Sequence, residues 1–250
     1  MNARTHGQVK VVGAGLIGTS IGLALQKLQV DVAIEDVSPA NQMLAIDYGA
    51  GRAVSSEDSP NLIIVCVPPD VTAAVVAREL EAHPEAFVTD VASVKSAILE
   101  QLRQNGSDLS RYVGSHPMAG RERGGAASGR ADLFFGRVWV VVPSETSSAK
   151  ARQAVENLAL DLSSAPVEAS AAEHDRAVAF VSHVPQLISS ITAASLIDAS
   201  DEDIALAGQG VRDTTRIAAS NPKLWLQILS ANAPEVLAVL RNVQNDLGAV

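Results

Sequence analysis

The sequence predicts an α/β protein: a domain of parallel strands and covering helices over residues 1–170, joined to an all-helical domain over residues 171–250. Two observations carry this reading. Short β-branched runs at residues 9–12, 30–34, 62–67, 87–89, 112–114 and 138–142 alternate with helical patterns, which implies βαβ units and a mainly parallel sheet. After Ala171 the strand signals stop, and Ala, Leu, Ile and Val recur at helical spacing to the C-terminus. Within residues 172–197, Val178, Val181, Ile188 and Ile191 fall on roughly one face, and Pro185 should kink the helix. Asn221-Pro222 reads as an N-cap with Pro in the first turn, opening a helix that carries Leu224, Ile228 and Leu229.

A chain of 250 residues, 47% hydrophobic and 19% charged, can bury two modest cores and is too apolar to be disordered. Its formal net charge of -9 argues against a nucleic-acid partner, because binding a phosphate backbone draws on clustered Lys and Arg. No apolar run reaches the roughly 18 residues of a membrane span, and residues 1–8 lack the apolar core of a signal peptide. We therefore expect a cytoplasmic protein with a small-molecule substrate and no membrane partner. Cys66 is the only cysteine, so no disulfide within the chain and no multi-cysteine metal site is expected; within residues 62–67 it reads as a small buried hydrophobe.

Gly13-Ala14-Gly15-Leu16-Ile17-Gly18 directly follows the first strand and opens a helix. In that context G-x-G-x-x-G is a dinucleotide fingerprint of the Rossmann type: the glycines allow a tight turn and close backbone approach, and the helix start offers N–H groups to a pyrophosphate. The second strand ends at Glu35-Asp36, near the offset of about 20 residues at which a carboxylate takes the ribose hydroxyls. Asp36 is the better placed of the two, because Val37-Ser38-Pro39 follows it as a loop. A carboxylate there repels a 2'-phosphate, and no Arg or Lys follows it, so NAD is expected over NADP. The Cys66-Val67-Pro68-Pro69 loop ends a buried strand on the ligand side of such sheets. Backbone at Val67 and Pro68 could border the nicotinamide ribose, and a merely structural turn fits the spacing equally well.

Gly114-Ser115-His116-Pro117-Met118-Ala119-Gly120 places a histidine in a loop at a strand end, and Asp90-Val91-Ala92-Ser93-Val94-Lys95 ends the preceding strand, so both loops should share the cofactor's edge. With these segments the sequence resembles the prephenate/arogenate dehydrogenase family. The likeness extends to Ser182-His183-Val184-Pro185, to Gly210-Val211-Arg212-Asp213-Thr214-Thr215-Arg216-Ile217-Ala218, and to Asn221-Pro222 with Trp225. It implies NAD-dependent oxidative decarboxylation of prephenate to 4-hydroxyphenylpyruvate, or of arogenate to tyrosine. On matching positions, His116 resembles the histidine that accepts the ring hydroxyl's proton, and Ser93 the residue that orients it. Arg216 resembles the guanidinium that holds a substrate carboxylate, a task suited to its planar fork of donors. His183 and Gln186, three apart on a helix, would line the substrate pocket. Glu122 and Asp213, with Arg212 or Arg216, would form an ionic gate.

Each residue also has a plainer reading. His183 could be a satisfied core histidine, Arg216 could pair with Asp213 along a helix, Trp225 could be core or interface, and His174-Asp175 reads as a helix-start or inter-helix contact. Gln186 departs from the resemblance, standing where many prephenate-specific members carry a second histidine, which leaves the substrate's side chain open. The chain also ends soon after the Trp225 helix, without the regulatory domain some members carry. A β-hydroxyacid dehydrogenase would instead place a Lys and Asn pair on the inter-domain helix, and residues 172–197 contain neither. An NAD-sensing protein without chemistry would not need Ser93, His116 and Arg216 together. The apolar surface of the helical region suggests a homodimer.

Overall fold

The computed structural model describes residues 3–121 and 123–249, and the chain divides between His174 and Asp175 into two compact units. In the first unit β1 (Val9–Val12), β2 (Val32–Glu35), β3 (Arg52–Ala53), β4 (Leu62–Val65) and β5 (Phe87–Asp90) form a parallel sheet in the order β3-β2-β1-β4-β5. The strands near its centre are mostly Val, Ile and Leu because helices cover both faces: all four residues of β4 are buried, and in β1 only Lys10 is charged. The exception is β3, two exposed residues too short to leave a pattern in the sequence. The order in which strands are added reverses between β1 and β4, so the loops after these two strands open at the sheet's topological switch point.

Helix α1 (Leu16–Gln26) follows β1, α2 (Pro39–Asp47) starts at the Ser38 cap, α3 (Pro69–Ala82) follows β4, and α4 (Ser96–Gln104) follows β5. A second sheet extends the first through a parallel bridge between Val88 and Tyr112. It comprises β6 (Val113–Pro117), β7 (Val138–Pro143) and β8 (Ala165–Glu168), with β6 antiparallel and β8 parallel to β7, and α5 (Ala149–Asp161) joins β7 to β8. The expected loop after Gly114 is therefore strand as far as Pro117, and His116 is a strand residue opposite Val140. Pairing along a long neighbour overrides the weak strand propensity of Gly-Ser-His-Pro. Phe134 and Trp139, ring centroids 5.4 Å apart, join Ile21, Leu25 and the sheet residues in one core.

The second unit is helical. α6 (Ala171–Val178) leads through a π turn at Ala179–His183 into α7 (Val184–Ser195), followed by α8 (Asp201–Ala205), α9 (Gln209–Thr215), a 3-10 turn at Arg216–Ala219, α10 (Pro222–Ala231) and α11 (Ala233–Gly248). The break comes just before Pro185, which cannot donate to the carbonyl four residues back. The wider turn rotates the helix faces, so the single face expected for Val178, Val181, Ile188 and Ile191 does not form: Val178 and Val184 are buried while Val181 and Ile191 are exposed. Asn221 caps α10 as its sequence implies, its side chain accepting from the Lys223 and Leu224 amides. Ala179, Val184, Val236 and Val239 form the buried centre. Counted across the π turn, the helix Ala171–Ser195 spans 25 residues and, with a mean hydropathy of 1.3 over its most apolar stretch, is long and apolar enough to cross a membrane by length and composition, where the sequence shows no uninterrupted apolar run of that length. Its His183, Gln186 and Ser189 are buried polar residues, a use typical of the central helix of a soluble unit.

Candidate active site

The glycine loop has the geometry its sequence requires. Gly13 has φ +105°, and a Cβ there would sit 2.4 Å from the Cys66 carbonyl oxygen; one at Gly18 would sit 2.0 Å from the Gly13 oxygen. These two glycines bring β1, the α1 start and the β4 loop together. At Gly15, which caps α1, a Cβ would meet nothing within 4 Å, so this side of the loop is open. Leu16, Ile17 and Gly18 form the first turn of α1, whose N–H groups have no earlier helical carbonyl to reach. The loop therefore fits a pyrophosphate on backbone evidence alone.

Asp36 lies at the loop's mouth. Its Oδ2 accepts from the Ala14 amide at 2.6 Å and its Oδ1 from the Ser38 amide at 2.7 Å. Glu35 is committed elsewhere, 2.7 Å from Lys10 Nζ and 3.2 Å from Arg78. Partial burial pushes the Glu35 carboxyl up, but Lys10 and Arg78 outweigh it and hold the group below its ordinary range. Arg78 is a cation the sequence spacing did not place near β2, since it comes from α3; Glu35 and Glu79 already balance its charge. Val67 is half-buried and Pro68 exposed before α3. Burial, reinforced by the charge of Asp90, raises the Cys66 thiol well above its ordinary range, which keeps it protonated.

The Asp90–Lys95 segment is organised by its ends. Asp90 Oδ1 accepts from the Ala92 amide at 2.9 Å, closing a local turn, and also takes an ion pair from Lys95. Oδ2 accepts from the Tyr112 hydroxyl at 2.6 Å; burial first, then the Asp90 charge and hydrogen bond, raise the Tyr112 pKa well above its usual value. Lys95 Nζ reaches on to the Ser115 carbonyl at 2.8 Å, and Ser115 Oγ donates to the Asp90 carbonyl at 2.9 Å. This wholly buried cross-link fixes the half-buried Ser93 on one side and His116 on the other.

His116 is 8% exposed, and its Nδ1 lies 2.9 Å from Nε2 of His174, which is 2% exposed. His174 stands beyond β8, on the first turns of α6. Ser170 caps that helix reciprocally with Glu173: its Oγ accepts from the Glu173 amide at 3.3 Å, and Glu173 Oε2 accepts from the Ser170 amide at 2.9 Å. The sequence reading treated His174 as a helix-start or inter-helix contact. Ser170-Ala171-Ala172-Glu173 is the local signal that could have located it, since it sets the phase of α6.

In the second unit, His183 is fully buried, edge-on to Trp225 at 6.1 Å. Asn232 Nδ2 donates to the Asp175 carbonyl at 2.8 Å and to His183 Nδ1 at 3.1 Å, which leaves the His183 proton on Nε2. Gln186 is 4% exposed and donates to the Ile217 carbonyl at 3.0 Å, while Ser189 donates to the Thr214 carbonyl at 2.6 Å. Together they hold the turn that presents Arg216, exposed after α9. Arg212 and Asp213 are exposed on α9, and Asp213 accepts from Gln209 at 2.8 Å. Glu122 lies outside the described residues.

Comparison with known proteins shows the family of the chain. The family model described as prephenate dehydrogenase, nucleotide-binding domain, matches residues 21–167, and the one described as prephenate dehydrogenase, dimerization domain, matches residues 170–250. "Probable prephenate dehydrogenase NovF" of Streptomyces niveus is 36% identical over 241 residues, covering 96% of this chain and 67% of that protein. The crystal structure of prephenate dehydrogenase from A. aeolicus in complex with hydroxyphenyl propionate and NAD+ superposes with TM-score 0.89 at 25% identity, covering 98% of this chain and 89% of that one. Synechocystis arogenate dehydrogenase follows with TM-score 0.79 at 27% identity, covering 97% and 90%. A cofactor loop, a buried histidine on β6 and a helical second unit are thus accounted for together: the chain belongs to the prephenate dehydrogenase family of oxidoreductases.

Proposed function

We propose that this chain is an NAD-dependent prephenate dehydrogenase that converts prephenate to 4-hydroxyphenylpyruvate in the cytoplasm, working as a homodimer. The observation that carries this reading is His116, nearly buried on β6 next to the loop that holds Ser93. Gly13, Gly15, Leu16, Ile17 and Gly18 cradle the cofactor's pyrophosphate. Asp36 takes the adenosine ribose, and Val67 and Pro68 border the nicotinamide side. NAD, when bound, supplies the acceptor for the hydride that leaves the ring carbon. His116 takes the proton of the hydroxyl on that carbon, and Ser93 orients the hydroxyl. Arg216 holds a substrate carboxylate, with His183 and Gln186 as pocket residues and Arg212 and Asp213, beside it on α9, in the ionic gate for which the sequence also names Glu122. Loss of CO2 then leaves its bonding pair to the ring, which becomes aromatic as a phenolate, and the proton held by His116 returns to the phenolate oxygen, so the protein's main work is alignment and the movement of one proton.

Arogenate is the second substrate to assay. The Gln186 amide is already engaged with the Ile217 carbonyl, and a neutral side chain imposes no preference between a keto acid and an amino acid. The dimer rests on the helical unit, where Phe180, Val181, Ile191, Ile197, Leu206 and Leu226 are exposed around a small core.

The deciding experiment follows NADH formation with prephenate and with arogenate, and repeats each with NADP. Turnover should be fastest with prephenate and NAD. No turnover of either substrate would overturn the assignment, and equal or better kcat/KM with NADP would remove Asp36 from its role. His116→Asn should lose roughly 10²- to 10⁴-fold in kcat, the usual worth of a positioned general base. Sedimentation should give the mass of two chains.

A further inference from the structure

We propose that His174 is a positioning residue that sets the tautomer of His116 and shares the proton His116 accepts; this rests on the reading of His116 as the base. The distance of 2.9 Å between His116 Nδ1 and His174 Nε2 requires a hydrogen on one of them, and both rings are buried from water that could substitute. The rings meet edge to face, centroids 5.1 Å apart at 69°, so the contact is directional. A base that uses Nε2 must carry its hydrogen on Nδ1 and donate it to His174. His174 is then an acceptor at Nε2 with its own hydrogen on Nδ1.

When His116 takes a proton at Nε2, the new positive charge is spread along an N–H···N bond that is already formed and becomes charge-assisted. A proton on His174 Nε2 in place of this arrangement would reverse the bond. It would force the hydrogen of His116 onto Nε2 and close off the accepting nitrogen.

Sheet register places the pair. His116 lies opposite Val140 and Val140 opposite Val167; the Ala169 amide then bonds the Val141 carbonyl at 3.1 Å before the Ser170 cap starts α6. Charged groups on the adjoining elements include Asp90 and Lys95, paired with each other under Ser115, Glu168 at the end of β8, paired with Arg152 of α5, and Glu173, Asp175 and Arg176 on α6. Glu173 is turned back to Ser170, whose Oγ donates to it at 2.7 Å.

The test uses His174→Leu, which removes the acceptor, and His174→Gln, which keeps one that cannot be protonated. Nitrogen-15 NMR of the resting enzyme should show His116 as the Nδ1–H tautomer in wild type and the Gln variant, and as a mixture in the Leu variant. The Leu variant should lose about 10- to 100-fold in kcat with KM changed by less than about 3-fold, the order of magnitude expected when a base's orienting partner is lost. The acidic limb of its pH–rate profile should move to lower pH, and His174→Gln should recover most of the turnover. An Nε2–H tautomer of His116 in wild type overturns the proposal even if the Leu variant does not fold. Unchanged turnover and an unchanged acidic limb in His174→Leu overturn it too. Near-normal turnover in His116→Asn would instead remove the base assignment and leave the tautomer measurement standing.

Discussion

The two units bury polar groups for different reasons. In the first unit the sheet satisfies its own backbone, so the buried side chains Asp90, Lys95 and Tyr112 serve one another and pin a single loop to β6. In the second unit short helices are joined by turns, and neutral side chains hold these segments by their carbonyls: Ser189 at Thr214, Gln186 at Ile217, which also accepts the Ser220 amide, and Asn232 at Asp175. The first arrangement depends on charge and tolerates little change. The second spreads the work over several ordinary hydrogen bonds around a smaller core. A precise proton acceptor belongs on the first kind of scaffold, and a carboxylate-holding arginine can be carried by the second.

The sharpest way to break this contrast is Lys95→Met, which leaves Asp90 buried without its ion partner. It should cost about 3–5 kcal/mol, the usual penalty for half of a buried pair. Denaturant melts would read this, and a loss under 1 kcal/mol would show that the cross-link is not structural. Arg216→Ala comes next. Losing a charged hydrogen-bonding partner is worth roughly 1.5–3 kcal/mol, so KM for prephenate should rise about 10- to 100-fold or more while NAD affinity holds. An unaltered KM would reduce Arg216 to a structural role.

Gln186→Ala should cost about 1 kcal/mol by removing one of the two hydrogen bonds to the Ile217 carbonyl, which keeps the Ser220 amide, and should raise KM through the Arg216 turn without moving the acidic limb of kcat. A change confined to kcat would contradict the division of labour between the units. The smallest effect is Glu35→Gln, at about 1 kcal/mol or less because the pair is partly exposed. The folded-state pKa of Glu35 is lowered, so its contribution is present above the unfolded value near 4.3 and is lost as pH falls through the folded one. Melts at pH 7 should separate wild type from the variant, and the separation should shrink as pH falls below the ordinary glutamate range.

What could be read without a structure was local. Gly13, Gly15 and Gly18 announce the cofactor loop because its turn and close approaches involve backbone within a few residues of each other, and Asn221-Pro222 announces α10 for the same reason. The reach of β6 over His116 depended on β7, a strand more than a loop away, whose pairing outweighs the poor propensity of Gly-Ser-His-Pro. The faces of the Ala171–Ser195 run depended on a π turn, which inserts no sequence signal beyond Pro185 yet turns every later side chain. Lys95 could have been suspected, a lysine in a short apolar stretch; that Asp90, Tyr112 and the Ser115 carbonyl meet it could not. The partner of His116 lies 58 residues away along the chain, and only sheet register, followed by a cap that sets the phase of α6, brings the two rings within hydrogen-bond distance.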